Sequence, residues 1–443
     1  VIPGLLTAGN GQGWENDLVA ELARPGSPMT VIQRCVDIAD VLTAATTGTV
    51  SVVVLSGALR RFDTEAVQRL CAAGVAVVGV YPAGEDKARS RLARIGVTHL
   101  IADDVGAAAL LSTARAAVAE RATAADGRAA ARGKAGPGVA DPRHALAGLD
   151  DLPSMVLSDR AASDPPPAGR VLAIWGPAGA PGRTMLAANL AAEAALAGHP
   201  TLLVDADVYG GVLASAFGLL DESAGVAGAC RLAANGLLDL AALTGLVWAV
   251  DANLRLLTGI NRADRWPEVK PSAISAVLAV ARSMADIVIV DCGFSLEADE
   301  EITFDTAAPR RNGATLAVLA EADVVIVIGS ADPPGMERLI RGLAELHDTM
   351  AQCTPLVVLN RSRRTAASPQ EGAAALARFA GLAVTATLPE ERANMDKAWQ
   401  RGVPLAEAAP GSALRKAIRD LMLVLVPATL PATVPTVVVT VPP

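Results

Sequence analysis

The sequence predicts an α/β protein built as two successive units, each a parallel sheet covered by helices. Short runs of Val, Ile and Leu recur along the chain, apolar at consecutive positions, with amphipathic stretches between them; strands buried on both faces read this way. The composition agrees, since 52% of residues are hydrophobic and only 3% aromatic, which implies a core of Ala, Val and Leu and argues against intrinsic disorder. The chain is 443 residues long, too long for one small fold, and the pattern is interrupted once, between Arg121 and Gly169.

In the front unit, residues 1–120, strands are expected at Thr30–Ile32, Ser51–Leu55, Val75–Val80 and Val97–Ile101, with helical pieces such as Trp14–Leu22 between them. This is a small flavodoxin-like arrangement, and its order resembles a response-regulator receiver domain. Phosphoryl acceptance in that family needs an Asp at the end of the third strand and an acidic pair after the first. Those places hold Ser56 and Thr7-Ala8-Gly9, and Asp103-Asp104 after the last strand does not restore the acceptor. The resemblance is therefore to a degenerate receiver, whose helix-covered sheet carries no phosphorylation chemistry.

Residues 121–169 are rich in Ala, Gly, Arg, Asp and Pro and end in Ser163-Asp164-Pro165-Pro166-Pro167, so they read as a flexible linker. A larger α/β unit follows over residues 170–427, with strands expected at Val171–Trp175, Pro200–Val204, Asn253–Leu257, Asp286–Val290, Asp323–Ile328, Pro355–Leu359 and Ala383–Thr387, closed by a helix from Ser412 to Leu425. Residues 428–443, rich in Pro, Thr and Val, read as a disordered tail.

Several function classes are disfavoured. The net charge of −8 makes a dedicated nucleic-acid binder a poor expectation. Five scattered cysteines without a Cys-x-x-Cys pair, and four histidines, read as reduced core thiols rather than a metal framework. The first residues carry no basic stretch ahead of an apolar one, and Pro427, Pro431 and Pro435 interrupt the last uncharged stretch, so a cytoplasmic protein is expected.

The chemistry concentrates in the rear unit. The strand Val171–Trp175 runs into Gly176-Pro177-Ala178-Gly179-Ala180-Pro181-Gly182-Arg183-Thr184 and then a helix from Met185, the place and shape of a phosphate-binding loop. Backbone N–H groups at the helix start would cradle phosphates, and Thr184 would ligate Mg²⁺. The usual Gly-x-x-x-x-Gly-Lys-Ser/Thr pattern is broken by Pro177 in place of the first Gly and Arg183 in place of the Lys. Three further segments support the reading. Asp205 and Asp207 follow the second strand, Asp291 ends the buried strand Ile287–Val290 in the Walker-B manner, and Asn360 ends another strand, where an amide can pair with an adenine edge.

In that order these residues resemble the MinD/ParA superfamily of deviant Walker ATPases over about Arg170 to Val426, and together with the front unit they resemble CpaE/TadZ-type pilus-localisation proteins and actinobacterial septum-site-determining (Ssd-like) proteins. The resemblance implies ATP or ADP with Mg²⁺ as ligand. It implies that Gly179, Ala180, Gly182, Arg183, Thr184 and Met185 lie on the phosphate loop, with Asn360 and Pro389 near the adenine. It also implies Thr184, Asp205 and Asp291 on the metal side, and Asp207 as the catalytic, water-positioning acid. The superfamily's signature Lys, which reaches a partner's nucleotide across a dimer, falls at Ala178, and Pro181 removes a backbone donor. Weak or absent hydrolysis is the expectation. The implied partners are septal or pilus proteins and a nucleotide-dependent homodimer.

Two other features have plainer readings. Arg361, Arg363 and Arg364 form a basic cluster that reads as a solvated loop rather than a DNA contact, since no aromatics are interleaved. The last helix carries Arg415, Lys416 and Arg419 beside a broad apolar stripe, which is expected to pack on the core, leaving any membrane association weak or indirect.

Overall fold

A computed structural model of the chain describes residues 2–9, 11–133, 169–219, 224–297, 310–363 and 369–426. The chain divides into two compact units on either side of the undescribed segment 134–168.

The front unit holds five parallel strands, β1 (Gly4–Ala8), β2 (Thr30–Arg34), β3 (Val50–Ser56), β4 (Ala76–Tyr81) and β5 (His99–Ala102), in the order β2-β1-β3-β4-β5. This is the flavodoxin-like order, with its switch point between β1 and β3. Alternation along each strand builds a core on either face: Leu6, Val53 and Leu55 join Phe62 and Leu70 on one side, and Leu5, Val52 and Val54 join Trp14, Leu18 and Leu110 on the other. Ser56 ends β3 and is buried. The last helix of this unit runs Ala107–Gly133. It therefore continues into the stretch read as linker from Arg121, where an Ala-rich composition free of Pro sustains a helix as readily as a coil. The rest of that stretch, residues 134–168, lies outside the described residues, as does the tail 428–443.

Among its described residues the rear unit holds eight strands, β6 (Arg170–Trp175), β7 (Thr201–Ala206), β8 (Trp248–Ala249), β9 (Leu254–Leu257), β10 (Ile287–Cys292), β11 (Val324–Ser330), β12 (Leu356–Ser362) and β13 (Val384–Pro389). Their order is β13-β12-β11-β6-β10-β7-β9-β8. All pairings are parallel except β8 with β9, an antiparallel edge of two residues that sequence periodicity did not announce. Central β6 sends Val171, Ala173 and Trp175 to one core and Leu172 and Ile174 to the other, the doubly wound pattern. Trp175 is fully buried, its indole N–H donating to Phe294 O at 3.2 Å. The closing helix Ala413–Leu425 buries Leu414, Ile418, Leu421, Met422 and Leu425 against the second core. Its Arg415 holds the buried Glu193 carboxylate at 2.6 Å, a pair whose disruption would strand a buried charge. The apolar stripe is thus spent on packing. Among the described residues no helix is long and apolar enough to cross a membrane, and all five cysteines are unpaired.

Candidate nucleotide site

The site is built where central β6 ends and the helix Arg183–Leu196 begins. Three positive-φ residues shape the loop between them: Gly179 (φ 102°), Ala180 (φ 53°) and Gly182 (φ 110°). Gly182 is required twice over, because its φ disfavours any side chain and a Cβ there would overlap Asn360 Nδ2. Ala180 holds a left-handed conformation without that excuse, a local cost of about 1–2 kcal/mol. The helix's first hydrogen bond runs from Leu186 N–H to Gly182 O, 2.9 Å. The N–H groups ahead of it therefore have no intrahelical partner, and the positive end of the helix dipole faces the loop.

The acids stand behind this helix start. The register of β10 between β6 and β7 sets Asp291 beside Ile174 on one side and Asp205 on the other. Asp291 is completely buried. The Thr184 hydroxyl donates to its Oδ2 at 2.7 Å, while its Oδ1 has no hydrogen-bond partner. Burial, and then the nearby Asp205 charge, push the Asp291 carboxyl well above the usual carboxylate range. Asp205 is likewise buried and raised to about 7, chiefly by burial, although it accepts N–H bonds from Leu213 (3.0 Å) and Asp207 (3.3 Å). Gly211 and Gly259 press against its carboxylate, so Asp205 serves the turn after β7 as well as facing β10. Asp207 accepts from Tyr209 N–H at 2.8 Å, and its Oδ2 lies 3.7 Å from Arg183 Nη2.

Arg183, read as the phosphate cation, lies under the loop. Its Nη1 donates to Gly176 O (3.0 Å) and Pro177 O (3.1 Å), and its Cζ stands 6.0 Å from the Phe294 ring centroid. Asn360, read as the adenine contact, spends Nδ2 on Pro181 O (2.8 Å) and accepts Arg361 N–H at Oδ1 (2.8 Å). Gly182, Met185, Asn360 and Pro389 nevertheless line one cleft of about 340 Å³, together with Met395 and Leu414. Every site residue named from the sequence thus falls either on the loop, on the acids behind it or in this adjoining cleft.

Two neighbours escaped the sequence reading. Arg361 has φ 56° and donates through Nη2 to Ala180 O at 2.9 Å, so it belongs to the loop rather than to a solvated basic cluster; Arg363 pairs with Glu390, and Arg364 lies outside the described residues. Tyr209 stacks on Phe294 at 4.6 Å and donates to Asn312 Oδ1 at 2.6 Å, tying the turn after β7 to the segment after β10. The Asp-x-Asp-x-Tyr spacing held the signal for Tyr209; no local pattern held one for the left-handed Arg361.

The buried, partnerless Asp291 Oδ1 beside the Thr184 hydroxyl is a set of hard oxygen donors that suits Mg²⁺ shared with phosphate oxygens. The unspent N–H groups of the helix start suit the phosphates themselves.

No curated protein matches this chain by sequence. Among solved structures, a ParA family ATPase from Chlorobium tepidum TLS superposes with a TM-score of 0.50 at 21% identity, covering 58% of this chain and 99% of its own. The cell division ATPase MinD of Pyrococcus furiosus gives 0.46 at 20% identity, covering 57% and 97%. The septum site-determining protein MinD of Pyrococcus horikoshii, solved with Mg-ADP, gives 0.46 at 17%, covering 58% and 96%. At 21% identity the first of these likenesses speaks for the fold of the rear unit alone. The profile of one family, the CobQ/CobB/MinD/ParA nucleotide binding domain, matches residues 172–405, just over half of the chain and including the loop, all three acids and Asn360. The chain belongs to the CobQ/CobB/MinD/ParA nucleotide-binding family.

Proposed function

We propose that this protein is a positioning factor of the deviant-Walker MinD/ParA kind, of the CpaE/TadZ-like or Ssd-like branch, whose rear unit binds ATP and ADP with Mg²⁺. The observation that carries the reading is the Thr184–Asp291 pair at 2.7 Å with a buried, partnerless oxygen left over. A metal-free structural role would leave that oxygen uncompensated. In this reading the N–H groups from Gly179 to Met185 receive the phosphates, except at Pro181, which has none to give. Thr184 and Asp291 hold the metal with Asp205 behind them, Asp207 orients water, and Pro389 and Asn360 border the base. Bound Mg²⁺ would supply charge neutralisation on the phosphates.

Turnover should be very slow. Arg183 is spent on two loop carbonyls and lies beside Asp207, and position 178 holds an alanine. Loss of a cation on a transferring phosphoryl group costs on the order of a thousandfold or more. The nucleotide then acts as a state marker: it biases the conformation or a homodimer, which septal or pilus proteins read to place their machinery from the cytoplasmic side. Those same Arg183 contacts favour a second reading, an interaction scaffold that has kept the fold and lost the ligand.

Calorimetric titration of the full chain with ATP and with ADP, each with and without Mg²⁺ and followed by sizing, separates the two. Magnesium-dependent binding that fails in Thr184→Ala is expected. No binding of either nucleotide at millimolar concentration would leave the scaffold. Hydrolysis at the rate of an intact P-loop ATPase, abolished by Asp207→Ala, would refute the slow-turnover reading.

A further inference from the structure

Three arginines surround the loop, and they differ in what their donors do. Arg183 and Arg361 are bonded to loop carbonyls. Arg338, on the helix Pro333–Thr349 that follows β11, only leans against the loop. A Cβ placed on Gly179 would come within 2.7 Å of Arg338 Nη1 and 3.3 Å of its Cζ. The helix is held there by packing one turn on, where Gly342 sits so close to Pro177 that a Cβ would be 3.2 Å from the proline Cβ. Among the described residues Arg338 has no ion pair or hydrogen bond, whereas its neighbour Arg341 is paired with Glu337. A guanidinium so placed is exposed and lies against the residue that follows Ala178. Gly179 is favoured as a glycine by its φ of 102°, and Arg338 lies beside it.

We infer that Arg338 is a binding cation, supplied within the same chain, that holds the outer phosphate of a bound nucleoside triphosphate in the ground state and does not replace the cation missing at position 178 in hydrolysis. Phosphoryl-binding proteins take such an arginine from within the chain or from a partner, and the forked donors suit a terminal phosphate with several free oxygens. A diphosphate has no group at that end of the loop for Arg338 to hold. Arg338 therefore sets the preference for triphosphate over diphosphate, and so decides which nucleotide marks the active state. This inference rests on the nucleotide reading above.

The test uses the full chain and compares the affinity of Mg-AMPPNP with that of Mg-ADP by calorimetry, for the native protein, Arg338→Gln and Arg338→Lys. The native chain is expected to favour AMPPNP. Arg338→Gln should lose about tenfold or more in AMPPNP affinity with ADP affinity unchanged, and Arg338→Lys should recover part of the loss. A native chain that binds neither nucleotide overturns the site itself. A native chain that binds both, with Arg338→Gln unchanged toward AMPPNP or weakened equally toward both, leaves the site standing and overturns the role of Arg338. Unchanged melting of Arg338→Gln, expected for an exposed side chain, ties the loss to the ligand.

Discussion

The two units place a loop in the same topological position, after the strand at the sheet's switch point, and fill it differently. In the front unit the loop after β1 turns into the helix Gly13–Leu22, whose Glu15 is only 2% exposed. Its carboxylate accepts from Gly11 N–H and from Arg34 Nη2, each at 3.2 Å. The chain's own anion thus occupies the start of this helix. Gly9 is closed over as well, since a Cβ there would come within 2.8 Å of the Trp14 ring. In the rear unit the corresponding helix has no acid in its first turn, and the carboxylates are held behind the loop on β7 and β10. An acid in the first turn of the helix fills such a loop, whereas acids set back on the neighbouring strands leave the helix start without an anion of the chain's own.

The contrast is sharpest in the glycines. Gly182→Ala should abolish measurable nucleotide binding, since the new methyl group meets Asn360 and the φ of 110° is strained. Gly9→Ala should leave nucleotide affinity unchanged and cost about 1–3 kcal/mol of stability through overpacking. Calorimetry and denaturant titration on both variants check the pair; equal loss of affinity in both would erase the distinction.

Next in size is Asp291→Asn. It keeps the shape and a hydrogen-bond acceptor for Thr184 but removes the charge that would hold a cation, so magnesium-dependent affinity should fall about 10–100-fold while affinity measured in EDTA stays the same. A fall of the same size in EDTA would assign Asp291 to loop support alone.

A smaller effect is expected from Glu15→Gln. Burial works to raise the Glu15 carboxyl, yet Thr7, the Arg34 guanidinium and Gly11 N–H bring it below its ordinary 4.5. A depressed carboxyl stabilises the fold above its unfolded value, and that contribution is lost as pH falls below about 4.5 through the lower folded value. Stability of a chain in which the four tryptophans other than Trp14 are phenylalanine, followed by Trp14 fluorescence, should decline over that acid window. Glu15→Gln should flatten the decline and cost about 1 kcal/mol near neutrality. A steeper decline in the variant would contradict the assignment.

The smallest expected effect is none. With Ser56 buried at the end of β3 and Glu15 committed to the loop, small phosphodonors should leave the front unit unmodified, as read by intact mass. A hydroxylamine-cleaved adduct of one phosphoryl group on this unit, the mark of an acyl phosphate, would restore a receiver function.

The alternation of apolar runs with helical stretches sufficed to place nearly every strand, because a two-sided core demands apolar residues at consecutive positions. It gave no range for Gly4–Ala8, a run shorter and less apolar than its neighbours, and it failed at Trp248–Ala249, where two residues at an edge carry no period, and at Gly133, where an Ala-rich helix and an Ala-rich linker have the same composition. The site was legible as a set. The loop, Asp205, Asp207, Asp291 and Asn360 each lie within two residues of the C-terminal end of a strand or at a helix start, where the chain carries polar residues in an otherwise apolar unit. The sequence by itself therefore determined two parallel sheets, the location of the loop and the types of residue around it. Only the tertiary structure decided what each side chain does there. Arg183 turned under the loop, Arg361 closed over Ala180, Arg338 arrived from a helix more than 150 residues along the chain, and Glu15 shut the front loop. These are matters of direction and distance between elements remote in sequence. Hydrophobic periodicity constrains which face a residue takes, but a charged side chain's partner is selected by whatever donors and acceptors packing brings within about 3 Å of it.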